Sequence, residues 1–131
     1  MIQLFHDREK GENMGQSQDN FKRGTAELLI LHLLQDGDLY GYEITKAFKE
    51  KSDGEYTMAE AALYLVLYRL VNAGYVSDYE ELVGARRRRR YYHIEEAGRK
   101  YYKEILQEYL TVTKSIARIL DLRSDCNDNE E

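Results

Sequence analysis

Residues 75–94 read Tyr75-Val76-Ser77-Asp78-Tyr79-Glu80-Glu81-Leu82-Val83-Gly84-Ala85-Arg86-Arg87-Arg88-Arg89-Arg90-Tyr91-Tyr92-His93-Ile94. Two segments rich in β-branched and aromatic residues, Tyr75 to Val83 and Arg88 to Ile94, flank Gly84-Ala85, which predicts a β-hairpin with the arginine run at its turn. Side chains alternate between the two faces of a strand. The tip residues Arg86 and Arg87 can therefore act together with only alternate members of Arg88, Arg89 and Arg90.

Upstream of the hairpin the spacing is helical. From Phe21 to Leu34 the apolar residues are dense enough for a helix buried on most of its circumference, stopped by Gly37. Tyr42, Ile44, Ala47 and Phe48 mark a second helix running to about Ser52, broken by Asp53-Gly54. Thr57-Met58-Ala59-Glu60 has the T-x-x-E form of a capping box, predicting a third helix with a core stripe of Leu63, Leu67 and Leu70 and with Gly74 just past its end. Downstream, a last helix is expected from Glu95 to about Leu122, on the order of 40 Å long at 1.5 Å per residue. Within it Tyr102, Ile105, Tyr109, Val112, Ile116 and Ile119 recur in alternating steps of three and four, the spacing of a helix that packs on another long helix. A second copy of the chain is the expected partner.

The order helix, helix, helix, hairpin, helix defines the expected fold class: mainly α with a small β-hairpin, a winged helix-turn-helix plus a long C-terminal dimerisation helix. The expected divisions are a flexible N-terminal arm over 1–20, a winged-helix DNA-binding domain over 21–94, a dimerisation helix over 95–122 and an acidic tail over 123–131.

Composition narrows the function classes. Apolar residues make up 43% and charged residues 33% of the 131, so the chain reads as soluble and globular, and no stretch approaches the roughly 20 apolar residues of a membrane span. Met1 to Asp7 shows no basic region followed by a long apolar one, so no secretory signal is expected. The single cysteine, Cys126, can form no internal disulfide, which fits a reducing, cytoplasmic setting. The net charge of −5 argues at first against a polyanionic partner. Its distribution reverses that argument: from Arg86 to Lys103 eight basic residues face only Glu95 and Glu96, a local net of +6.

Two constellations point to double-stranded DNA. The third helix stands where a helix-turn-helix places its recognition helix, and a core stripe of Leu63, Leu67 and Leu70 turns Ala61, Ala62, Leu65, Tyr68, Arg69 and Asn72 outward, with Tyr64 at the boundary. That face has few long polar side chains near its start, so base reading by hydrogen bonds should be sparse, with Ala61, Ala62 or Leu65 near thymine methyls. The arginines of the hairpin suit phosphate oxygens or a narrow minor groove. The plainer reading is a solvated charge run matched across the strands by Asp78, Glu80 and Glu81, and the two readings can hold together. His6, His32 and His93 lack the spacing of a metal site, and His32, on an apolar helix, is expected to be a packed core residue. A glycine-rich phosphate loop, a G-x-S-x-G elbow and a cysteine–histidine pairing are all missing, so neither an enzyme nor a cofactor is expected.

The run Leu39-Tyr40-Gly41-Tyr42-Glu43-Ile44 resembles the start of the second helix in the PadR family of bacterial transcriptional regulators. The likeness continues in Arg23-Gly24-Thr25, Glu27-Leu28-Leu29, Leu63-Tyr64 with Leu67, Arg69-Leu70 and Gly74, Arg89-Arg90-Tyr91-Tyr92 and Glu96-Ala97-Gly98-Arg99, covering roughly residues 22 to 120. The resemblance implies a winged-helix repressor, a homodimer through its C-terminal helix, which releases its operator when a small aromatic or drug-like effector binds. The short C-terminal region looks like the compact branch with one dimerisation helix. Where the family usually has G-T-L-Y-P, this chain has Ala61-Ala62-Leu63-Tyr64-Leu65, and it contains no tryptophan, so an indole-lined ligand pore is not expected. The competing reading is a dimeric interaction module of the same fold, acting through protein partners or a small ligand.

Overall fold

The structure, a computed structural model, describes residue 22 and residues 24–122. The expected arm over 1–20 and acidic tail over 123–131 lie outside the described residues. Helix α1 spans Ala26–Leu33 and runs into a 3₁₀ turn, Leu34–Asp36. Strand β1 is Leu39–Tyr40, α2 is Gly41–Lys51, α3 is Glu60–Asn72, β2 is Val76–Val83, β3 is Arg87–Ile94 and α4 is Glu96–Ile119. The winged-helix order is present, with one addition. The hairpin is joined by β1 in a three-stranded antiparallel sheet of order β1-β3-β2, where Leu39 pairs with Tyr92 and Tyr40 with Tyr91.

One core unites α1, α2, α3 and the base of the sheet. Ile30, Leu31, Leu34, Ile44, Leu63, Leu67, Leu70 and Val76 are fully buried, with Phe48, Tyr92 and Ile94 beside them. Burying each such aliphatic side chain contributes about 1.5–3 kcal/mol, so this shared cluster is what holds three short helices in one arrangement. The expected stripe of Leu63, Leu67 and Leu70 faces inward, joined by Val66.

The helix ends follow local chemistry. At the end of α3, Gly74 takes φ +83°, the Tyr75 N–H donates to the Leu70 carbonyl (3.0 Å) and the Gly74 N–H to the Val71 carbonyl (3.0 Å), a Schellman closure. Its start differs from expectation. Residues 57–59 lie outside the helix, so Glu60 is the first helical residue rather than the third, Ala59 is the N-cap with an extended backbone, and the Thr57–Glu60 capping box does not form. A carboxylate does cap α2, where Glu43 Oε1 accepts the Tyr40 N–H at 3.1 Å.

Helix α4 has two regimes. Near its start it is tied to the domain: the Tyr101 hydroxyl donates to Glu27 (2.9 Å) and the ring stacks on Tyr75 at 4.2 Å, Arg99 donates to Gln35 (3.0 Å), and the Tyr102 hydroxyl bonds His32 Nδ1 (2.7 Å). Burial and the bond to Glu27 push the Tyr101 hydroxyl up to about 12. His32 is thus exposed at the edge of α1, not a core residue, because its ring turns out of the helix toward Tyr102. Farther along, Tyr109, Val112, Ile116 and Ile119 are exposed, Ile119 at 82%.

Candidate nucleic-acid interface

Because α3 buries Leu63, Val66, Leu67 and Leu70, its other face carries Ala61, Ala62, Tyr64, Leu65, Tyr68, Arg69 and Asn72 to the surface. Leu65 and Tyr68 are about two-thirds exposed, at 66% and 67%. Arg69 stands 3.9 Å from Glu27, a surface pair worth at most about 1 kcal/mol that a phosphate could replace. The Tyr64 ring leans back over the first turn of α2: a Cβ built on Gly41 would stand 2.6 Å from the Tyr64 hydroxyl oxygen. Gly41 therefore gives the phenol its place. Gly41→Ala is expected to cost only about 1 kcal/mol, the low end for an added methyl group because the obstructed atom ends a flexible side chain, yet to displace the Tyr64 ring. Tyrosine fluorescence and a crystal structure would check it, and an unmoved ring would refute it.

The wing shows how five adjacent arginines divide. Register pairs Asp78 with Tyr92, Glu80 with Arg90 and Leu82 with Arg88 on the face whose base, Val76, Tyr92 and Ile94, is buried in the core. On that face Arg90 donates to Asp78 (2.9 Å) and Glu80 (3.0 Å), and Arg88 lies 3.5 Å from the other Glu80 oxygen. On the opposite face the Arg89 guanidinium lies 4.3 Å over the Tyr40 ring, a cation–π contact. Arg86, in the Gly84–Arg86 turn, and Arg87 are exposed, and neither has an ion pair among the described residues. The expected matching of the charge run by acids is present for Arg88 and Arg90, and the tip is left as the accessible cation pair.

A polar lock joins the wing to the helix-turn-helix. Asp38, in the turn before β1, bonds His93 Nδ1 through one oxygen (2.8 Å) and accepts the Tyr79 hydroxyl through the other (2.7 Å). Partial burial works to raise the Asp38 carboxyl, but the bonds from His93 and Tyr79 outweigh it and hold the group below its ordinary value. The same bond to Asp38 is the main reason that the Tyr79 hydroxyl is pushed up to about 12. Tyr91 packs between Tyr79 (5.7 Å) and Tyr40 (5.5 Å).

One strip escaped the sequence reading. Tyr42, Thr45, Lys46 and Lys49 line one face of α2 around an open hollow of about 700 Å³, which Glu50, Asp53, Gly54, Thr57 and Met58 also line. Their spacing of three and four, with hydroxyls and amines in one row, was the available signal. A second, mostly apolar groove of about 530 Å³ runs between α1 and α4, with His32, Tyr56, Tyr102 and Tyr109 in its walls. Of the expected seam, Tyr102 and Ile105 are half-buried against the protomer's own core, whereas Tyr109, Val112, Ile116 and Ile119 stay uncovered. Among the described residues there is no cluster of metal-ligating side chains, and no helix is long and apolar enough to cross a membrane.

The chain is similar to an uncharacterized protein of Lysinibacillus sphaericus, 32% identical over 94 residues, covering 72% of this chain and 86% of that one. A solved transcriptional regulator from Clostridium thermocellum superposes with a TM-score of 0.71 at 38% identity, over 76% of this chain and 96% of its own. The Bacillus subtilis negative transcriptional regulator PadR is 24% identical over 87 residues, 66% of this chain and 48% of its own. Its structure in complex with operator DNA superposes with a TM-score of 0.57 at 26% identity, over 61% of this chain and 45% of that chain. This chain thus spans about half of PadR itself. The model of the transcriptional regulator PadR-like family matches residues 30–104, more than half of the sequence. With its winged-helix fold and that match, the chain belongs to the PadR-like family of transcriptional regulators.

Proposed function

We propose that the protein is a dimeric DNA-binding repressor in which α3 enters the major groove and the wing tip holds flanking phosphate or minor groove. The observation that carries this reading is the solvent face of α3, where Leu65 and Tyr68 stand uncovered in a domain whose hairpin carries five arginines. Large apolar side chains on an outer helix face serve no internal packing; against DNA they meet thymine methyls and sugar edges. The operator complex of Bacillus subtilis PadR supports the assignment. In this arrangement Ala61, Ala62, Tyr64, Leu65, Tyr68 and Arg69 lie in the groove, Arg86 and Arg87 carry the wing's charge, and Lys46 and Lys49 on α2 reach the phosphate backbone.

Residues 21–94 form the DNA-binding unit in this reading, and residues 95–122 join two copies. The uncovered row of Tyr109, Val112, Ile116 and Ile119 supports the second copy. Repression follows from occupancy of an operator. The groove between α1 and α4, with His32 and three tyrosine rings, is the place in the protomer for a small aromatic effector.

A fluorescence-anisotropy titration across salt tests the contact. Arg86→Ala with Arg87→Ala should flatten the slope of log affinity against log salt by about 2 per protomer and weaken binding at physiological salt at least tenfold. An unchanged slope would remove the wing from the interface.

A further inference from the structure

The charge ladder on the wing points beyond affinity. From the core outward, one face of the hairpin carries Asp78 opposite Tyr92, Glu80 opposite Arg90 and Leu82 opposite Arg88. Glu80 is shared: one oxygen accepts from Arg90 at 3.0 Å and the other lies 3.5 Å from Arg88. The second amine of Arg90 is held by Asp78 at 2.9 Å. Arg88 and Arg90 are thus engaged on the wing itself, while Arg86 and Arg87 are not engaged with any acid among the described residues. Counting the five arginines against Asp78, Glu80 and Glu81, the hairpin's net charge is +2.

A duplex held loosely, with hydrated phosphates at varying distances, attracts a protein through its net local charge and the counterions released. A guanidinium already bridged to a carboxylate adds little to that term. It changes partner only where a phosphate oxygen arrives at about 2.7–2.9 Å with geometry good enough to displace the acid. Such phosphates are supplied by a site on which α3 is fully seated, so the acid penalises random DNA more than the correct site.

We infer that Glu80 is a specificity-determining residue, a built-in counter-anion that withholds Arg88 and Arg90 from phosphate except on a DNA site that positions phosphate to displace it. This rests on the reading that the wing meets DNA. It assigns the ladder to discrimination, whereas Arg86 and Arg87 supply attraction. Asp78 acts in the same sense on Arg90 alone.

The test compares the full-length protein and Glu80→Gln on two probes: a 30-base-pair duplex of random sequence, and a site selected by the wild-type protein from a random duplex library. Glutamine keeps the length of the side chain and removes its charge. The variant should bind the random duplex roughly threefold to tenfold more tightly, with a salt slope steeper by about 1 per protomer. Affinity for the selected site should change less, so that the ratio of the two falls. In an Arg88→Ala, Arg90→Ala background the effect of Glu80→Gln should shrink to the small gain that removing one negative charge gives by itself, since residues coupled through one contact are not additive.

If the wild-type protein selects a site but Glu80→Gln leaves the ratio unchanged, the inference is overturned and the DNA-binding reading stands. If the gain on random DNA persists undiminished without the two arginines, Glu80 merely repels DNA and the counter-anion role is overturned. If the wild-type protein selects nothing and binds neither duplex, the DNA-binding reading and the inference fall together.

Discussion

Gly98→Ala is expected to unfold the base of α4 from the winged-helix domain, lowering stability by about 3 kcal/mol, the upper end for an overpacked interior. Gly98 is buried in the first turn of α4, and a methyl group there would be driven into the Tyr75 carbonyl, with Ile94 Cγ1 also only 2.9 Å away. The carbonyl cannot retreat. It accepts the Glu95 N–H at 2.9 Å, the bond that seats α4, and Tyr75 is held in turn by the Schellman closure of α3. The Tyr75 ring also stacks on Tyr101 at 4.2 Å, so displacing the backbone costs that contact as well. Thermal unfolding followed by circular dichroism should show a midpoint lower by roughly 10 °C. A midpoint within a degree or two of wild type would mean that the helix shifts freely and that its docking is not tight. The contrast with Gly41 is instructive, since there the obstructing atom is a phenol that can swing aside.

The second large effect is expected from Ile116→Asp. Ile116 is 47% exposed in the protomer and lies in the uncovered row of α4, so the change should leave the protomer's fold intact. In the proposed dimer it places a carboxylate in an apolar seam, where an unpaired charge is strongly unfavourable. Light scattering should report a fall from twice 15.4 kDa to 15.4 kDa. Affinity for a two-half-site operator should drop on the order of a hundredfold or more, because the second half-site is no longer delivered by the first. A variant that stays dimeric would sink the seam. Ile105→Asp is the poorer probe, since Ile105 packs on the protomer's own core and its loss would damage folding.

Much of the fold is legible from spacing alone, because a small domain has one core and every element must turn a face to it. The triad Leu63, Leu67 and Leu70 determines which face of α3 is outward, and the β-rich runs around Gly84 determine the wing. What escapes the sequence are features decided by contacts between distant segments. Strand β1 has two residues, too few to show alternation, and exists because Leu39 and Tyr40 find β3. His32 looks like a core residue on an apolar helix, yet it turns outward to a tyrosine seventy residues away. The Thr57–Glu60 pattern has the letters of a capping box but no helix where the first turn was expected, the helix starting only at Glu60. The division of labour among the arginines depends on register, which the three-residue turn Gly84–Arg86 sets and which no inspection of Arg86 to Arg90 alone reveals.

The bond pair at Asp38 has a mechanical meaning. One carboxylate in the turn ahead of α2 grips both strands of the wing, through Tyr79 on one and His93 on the other, while Tyr40 and Tyr91 interlock beside it. Fastened at both strands near its base, the wing shares one frame with the turn that leads into α2, and with α3 packed on the same core the two stand like the jaws of one caliper. In the proposed dimer, the spacing of the two calipers is then set at the α4 axle, and a change of angle there would alter the grip on DNA without bending either one.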